Sequence, residues 1–145
     1  MKEFLKYFFG KGEEIEFTNF SLAHFLPIIL MLAVVFSLKL FQDKIRSCKY
    51  EKAFRYILAF GLIISEMSYY WPITVCGWAV VFCSYMIIGK SQTLFDISYF
   101  WLLSGTVFAL LTPTVISYTG ITRFRYYQFW LEHTLGYIAS FYMAF

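Results

Sequence analysis

The chain has 145 residues, 60% of them hydrophobic and only 14% charged, with a formal net charge of +3 and a mean hydropathy of +0.63. A single soluble core of this size cannot hide so much apolar surface, so the composition excludes an ordinary soluble domain and points to lipid as the solvent. The basic excess is accounted for by membrane topology and contact with anionic headgroups, which leaves no argument for nucleic acid as a partner.

Residues 1–19 read as an interfacial segment. MKEFLKYFFGKGEEIE alternates apolar and charged positions over its first turns and then becomes acidic, the pattern of a short helix lying on a membrane surface. Its apolar stretch is interrupted and no small-residue cleavage site follows, which argues against a signal peptide. Ser21–Leu38, Tyr69–Gly89 and Ile97–Thr122 contain no Asp, Glu, Lys or Arg, and each is close to or above the ~18–20 residues that cross ~30 Å of hydrocarbon. Tyr56–Tyr70 carries only Glu66, and Tyr126–Phe145 only Glu132 and His133. The run Tyr56–Gly89 is far too long for one crossing and must fold back, with the turn expected at Tyr69-Tyr70-Trp71-Pro72, where interfacial aromatics meet a proline that starts helices well. The predicted fold class is therefore all-α: a polytopic transmembrane bundle of one domain, with five spans at about 20–41, 54–70, 72–89, 97–118 and 125–145.

This alternation places the amino terminus, the Trp71-Pro72 turn and the 119–125 loop on one face, side A. The other two loops lie on side B. Seven Lys and Arg residues fall on side B and five on side A, so the positive-inside rule makes side B cytoplasmic and the amino terminus extracytoplasmic. Cys48 sits in a side B loop, while Cys76 and Cys83 are seven residues apart on one helix, about 10 Å along its axis, too far for a disulfide.

Polar residues within the spans gather in one leaflet. His24 enters the first span, Glu66 ends the second, Cys76 follows Pro72 by about a turn, Thr112 precedes Pro113, and Glu132 and His133 lie about two turns into the last span. Ionisable groups at such depth usually face a cavity or each other, so a pocket opening toward side A is expected. A thiol beside an imidazole is chemistry, with Glu66 expected to orient His133. The alternatives are Cys76 as a small apolar filler, His133 bonded to a backbone carbonyl, and His24 as an interfacial residue. No two ligands have the i, i+3 or i, i+4 spacing of a metal site, and no metal or other cofactor is expected. Ser98, Gly105, Ala109 and Thr112 form a small-residue stripe, read as a packing seam. Arg123 and Arg125, with Tyr126 and Tyr127, are placed to grip a phosphate headgroup or simply to anchor the interface.

WPITVC, YFWLLSGTVFALLTP, FRYYQFWLEHTL and the amino-terminal FTNFSLAHFLP together resemble the YwaF-like integral membrane proteins of bacteria and their eukaryotic relatives, the transmembrane protein 164 group. The resemblance covers nearly the whole chain. It implies a multi-pass protein of a bacterial cytoplasmic membrane and, from the eukaryotic branch, a phospholipid acyltransferase with Cys76 as acyl-accepting nucleophile and His133 as its general base. This chain departs from the pattern at Thr74, where the family commonly has a histidine, and at Phe145, where members usually continue through further helices. A truncated bundle is thus expected to leave an apolar groove for missing helices or a second copy. Two function classes stay open: a lipid acyltransferase acting on membrane phospholipids, and a non-catalytic transporter component or lipid-binding subunit.

Overall fold

A computed structural model describes residues 1–68 and 74–145. Among them every regular element is helical: α1 (Lys2–Phe9), α2 (Leu22–Leu40), α3 (Gln42–Arg46), α4 (Glu51–Met67), α5 (Val75–Gly89), α6 (Gln92–Trp101), a π turn (Leu102–Thr106), α7 (Val107–Leu111), a 3-10 turn (Thr114–Ile116) and α8 (Phe124–Ala144). The turn expected at Tyr69-Tyr70-Trp71-Pro72 lies outside the described residues. Two helices are long and apolar enough to cross a membrane, Leu22–Leu40 and the continuous Gln92–Leu111, whereas Val75–Gly89 is apolar but shorter.

Helix ends follow local chemistry. Thr74 caps α5 by accepting from the Gly77 amide at 3.1 Å, and Ser91 caps α6 by accepting from Leu94 at 3.4 Å. That second cap starts the helix expected over 97–118 five residues early. It also stops early, at Leu111, because Pro113 has no amide proton and its ring opposes continuation, so Thr112 leaves helical geometry at φ −136°. The small-residue stripe does not form the expected seam: Ser98 is buried, but Gly105 and Thr112 are exposed. The intervening π turn adds a residue and breaks the repeat that would align them.

Hydrogen bonds between elements fix the directions. Arg55, early in α4, donates to the carbonyls of Ile87 and Ile88 at the end of α5 at 2.9 and 2.8 Å, so α4 and α5 run antiparallel. Gln128, early in α8, donates to Ser65 late in α4, and the Tyr126 hydroxyl donates to Ala23 at the start of α2. Helix α8 is therefore antiparallel to α4 and parallel to α2. It packs against α2, α4, α5 and α6 and buries residues around its circumference, Tyr126, Phe129, Trp130, Tyr137 and Tyr142 among them. The outward faces are apolar: Leu22, Phe36, Ile57, Tyr85, Phe100 and Phe108 are each more than 60% exposed.

At the side B end an ionic clamp closes the bundle. Glu51 Oε1 accepts from the Tyr142 hydroxyl at 2.6 Å and pairs with Arg55 Nε at 2.9 Å and Lys90 Nζ at 3.2 Å. Lys90 occupies the left-handed cap of α5 (φ 50°), a position usually given to glycine. In the sequence, Arg55 and Lys90 counted only among the seven basic residues of side B. In the structure Arg55 satisfies the end of α5, and both residues, through Glu51, tie α4, α5 and α8 together.

The Tyr142 hydroxyl, with Lys90 and Arg55, lowers the Glu51 carboxyl to about 2. A depressed carboxylate contributes stability above its unfolded pKa and loses it as pH falls through the folded value. Thermal stability in detergent should hold above about pH 4.5 and decline toward pH 2. Glu51→Gln should cost about 2 kcal/mol at neutral pH, the scale of hydrogen bonds to a charged group, and flatten that decline; an unchanged melting profile would remove the clamp's role.

Candidate functional site

The sequence-predicted residues divide into those that meet and those that are engaged elsewhere. His24 is fully buried, but both ring nitrogens are used: Nδ1 accepts from the Phe20 amide at 2.8 Å and Nε2 donates to the Leu110 carbonyl at 2.7 Å. It latches the start of α2, where Phe20 has a left-handed φ of 64°, onto the end of α7, and so is not available to a pocket. Thr112 is exposed and its hydroxyl bonds back to the Phe108 carbonyl. Thr74 spends its hydroxyl on the α5 cap.

Neither arginine presents a free guanidinium for a headgroup. Arg123 is bidentate to Glu16, with contacts of 2.6–2.9 Å, donates to the Tyr7 carbonyl at 3.0 Å and lies 4.2 Å from the Tyr7 ring centre. Glu16 also accepts from the Gly120 amide, and the Arg123 guanidinium holds its carboxyl below the ordinary range. The amino-terminal segment is thus strapped to the loop before α8. Arg125 turns inward, with its NH1 nitrogen 3.8 Å from Glu132 Oε2.

Glu66, Arg125, Gln128, Glu132 and His133 do come together. The Glu66 and Glu132 carboxyls are close enough to influence each other electrostatically, and both feel the Arg125 charge. Gln128 donates to Glu132 and, at 2.9 Å, to the Ser65 carbonyl. Glu66 therefore interacts with Glu132 and does not orient His133. That task falls to the backbone: His133 Nδ1 is 2.7 Å from the Phe129 carbonyl one turn earlier and 3.4 Å from Glu132 Oε1. A carbonyl only accepts, so Nδ1 carries the proton in the neutral ring and Nε2 keeps its lone pair. Nε2 is buried and has no hydrogen-bond partner among the described residues.

Cys76 reaches the same level by helix register. Helices α5 and α8 both run from side A to side B, and Cys83 Sγ lies 3.7 Å from Ser140 Oγ. Two turns back on each helix, seven residues toward side A, are Cys76 and His133. The half-buried Cys76 thiol lies within electrostatic range of Glu66, Glu132 and Tyr137. No hydrogen bond joins its sulfur directly to His133 among the described residues.

The floor of this layer comes from the π turn. The Leu102 carbonyl accepts from the Tyr137 hydroxyl at 2.9 Å and lies 2.6 Å from Thr106 Oγ1. A hydroxyl inserted into the carbonyl ladder is a recognised cause of such local widening. Helix α8 approaches closely here, since a Cβ on Gly136 would lie 3.2 Å from Leu102 Cδ2. Sequence reading missed Gln128, Tyr137 and Thr106; the i, i+4 spacing of Gln128 with Glu132, and of His133 with Tyr137, was the signal available.

Over residues 19–145 the chain matches the model of the TMEM164 family. The chain belongs to this family. No curated protein and no solved structure matches it. Family membership and two long apolar helices make this a membrane protein. The match begins at residue 19, so Tyr7, Gly10 and Glu16, which hold Arg123, lie ahead of the segment that matches the TMEM164 family.

Removing one member of a buried ion pair leaves an uncompensated charge, whereas removing both relieves it. Arg125→Met should destabilise by about 3 kcal/mol, and adding Glu132→Gln should restore much of the loss. A thermal-unfolding double-mutant cycle in detergent checks this; additive losses would show that the two side chains do not interact.

Proposed function

We propose that this TMEM164 family member is a five-span phospholipid acyltransferase in which Cys76 carries the acyl group and His133 moves the proton. The observation that carries the reading is the His133 ring: Nδ1 held by a carbonyl, Nε2 buried with its lone pair unused among the described residues, two turns above the Cys83–Ser140 contact and level with Cys76. Five long helical segments ending alternately on sides A and B, with apolar outward faces, support the spanning topology. Charge distribution favours side B as cytoplasmic.

The reaction runs in two balanced halves. His133 Nε2 takes the Cys76 thiol proton, and the thiolate attacks the acyl ester carbonyl of a donor phospholipid. The ester C–O bond breaks, and the leaving lysophospholipid oxygen receives the proton from His133. A second lysophospholipid hydroxyl then gives its proton to His133 and attacks the thioester. The C–S bond breaks and the sulfur recovers the proton. The proton passes through one water or follows a rotation of the Cys76 side chain, because the direct hydrogen bond is not made in the resting arrangement. Glu66, Arg125, Gln128 and Glu132 are positioning groups that hold the first turns of α8 against α4.

A second reading, a lipid-binding subunit without catalysis, draws on that same missing contact. Acyl exchange between phospholipids in proteoliposomes separates the two. Cys76→Ser and His133→Ala should each lower turnover by at least about a thousandfold, as loss of a nucleophile or its base does, while Cys83→Ser should retain it. Mass spectrometry of the parent should find a hydroxylamine-sensitive acyl adduct on Cys76. Equal turnover in all four proteins, or no adduct and no turnover in the parent, would favour the subunit reading.

A further inference from the structure

Helix α1 separates its residues by chemistry: at about 100° per residue, Lys2, Glu3 and Lys6 fall on one side and Phe4, Leu5, Phe8 and Phe9 on the other. The protein covers little of the apolar side. Phe8 and Phe9 meet the Phe124 ring at the start of α8, with ring centres 5.9 and 4.9 Å apart, yet Phe4 is 64% exposed, Leu5 46% and Phe9 50%. Eight residues are too few to hold a helix in water unaided, so α1 depends on what it lies against.

Its level in the bundle says what that is. The bond from the Tyr126 hydroxyl to the Ala23 carbonyl sets the starts of α8 and α2 side by side, and both helices run from there toward side B. Phe124 and Leu22 therefore mark the side A edge of the hydrocarbon, and α1 is held against Phe124 at that edge. An apolar side bordered by lysines at this depth suits a phospholipid surface, with rings among the acyl ends and ammonium groups among the phosphates.

One guanidinium ties α1 to α8. Arg123 is the N-cap of α8, where the helix dipole disfavours a cation, and Glu16 supplies the opposing charge. The same side chain donates to the carbonyls of Tyr7, in the last turn of α1, and of Gly10, its cap, at 3.0 and 3.4 Å. Around it the Tyr7 hydroxyl bonds to Thr122, and the Gly12 amide donates to the Tyr118 carbonyl at 2.9 Å. The approach is close: a Cβ on Gly12 would lie 2.7 Å from that carbonyl oxygen. Helix α1 cannot shift without pulling on the residues that start α8.

We propose that Phe4, Leu5 and Phe9 enter the phospholipid interface on side A and that Arg123 carries this anchorage into the first turns of α8. The inference goes beyond the expected interfacial position of α1 and does not rest on the acyltransferase reading.

The test uses the whole chain in vesicles of phosphatidylcholine and phosphatidylglycerol. Benzoylphenylalanine is placed singly at Glu3, Phe4, Leu5 or Lys6, and its photoadducts are identified by mass spectrometry. Phospholipid adducts at Phe4 and Leu5 should exceed those at Glu3 and Lys6 by at least about fivefold, the contrast of an apolar with a charged side. Hydrogen exchange reads the link to α8 through the amides of Tyr127, Gln128, Phe129 and Trp130, whose helical acceptors are the carbonyls of residues 123–126. They should exchange about tenfold faster in Glu16→Gln, which removes hydrogen bonds to a charged group, and faster also in Phe4→Ser/Leu5→Ser, which leaves the Arg123 contacts in place. Amides of residues 139–142, at the side B end, should be unchanged in both. Even lipid labelling around α1, crosslinks from Phe4 and Leu5 to a second copy in place of lipid, exchange unaltered by Phe4→Ser/Leu5→Ser, or exchange quickened equally at both ends of α8 would each overturn the proposal.

Discussion

Everything in this bundle depends on keeping α8 away from lipid. Of the long helices it carries the most demanding polar groups, Gln128, Glu132, His133 and Ser140, each nearly inaccessible. Such groups facing hydrocarbon would each lack a partner that neither lipid nor water could supply there. The solution is enclosure by α2, α4, α5 and α6, with backbone carbonyls of α2, α4 and the π turn accepting from Tyr126, Gln128 and Tyr137, while His133 Nε2 is enclosed with no partner among the described residues. The outer helices can then be apolar on their lipid faces and still offer backbone oxygens inward.

Ionic contacts secure this enclosure at both ends. On side A, Glu16 and Arg123 fasten the amino-terminal segment to the loop that introduces α8. On side B, Glu51 gathers a hydroxyl from α8, a guanidinium from its own helix and the ammonium at the end of α5. Both lie near the expected membrane boundaries, where desolvation is incomplete and a charge pair is least expensive. Lys39, Lys44 and Arg46 add cation–aromatic contacts with Phe145, Phe41 and Tyr142 on side B, the arrangement of an interfacial belt.

Much of the helical order was legible because uncharged runs and proline positions report directly on where a chain can cross lipid. Glu66, Glu132 and His133 were conspicuous for the same reason, as rare polar residues in apolar runs, but the expected layer is not one pocket: His24 is spent on a latch and Thr112 is exposed. Partner choice was not legible. Glu66 was read as the companion of His133, yet it interacts with Glu132, and the histidine is held by its own helix. The rotation of a helix about its axis decides such pairings, and a nearly uniform apolar helix gives little periodic signal for it. The arginines misled for a different reason: Arg123 finds Glu16 across more than a hundred residues of sequence, a closure that no local pattern announces.

The π turn decides where this chain can change length. One residue more or fewer in a regular helix rotates everything beyond it by about 100°. Here the extra residue at Leu102–Thr106 sets the rotational phase of α7, and with it the direction of the Leu110 carbonyl that receives His24 Nε2. A one-residue deletion in this turn would therefore be felt at the beginning of α2, more than eighty positions away in the chain, as a latch turned out of alignment. Insertions and deletions should be far better tolerated in the solvent-facing loops than inside this short widened segment.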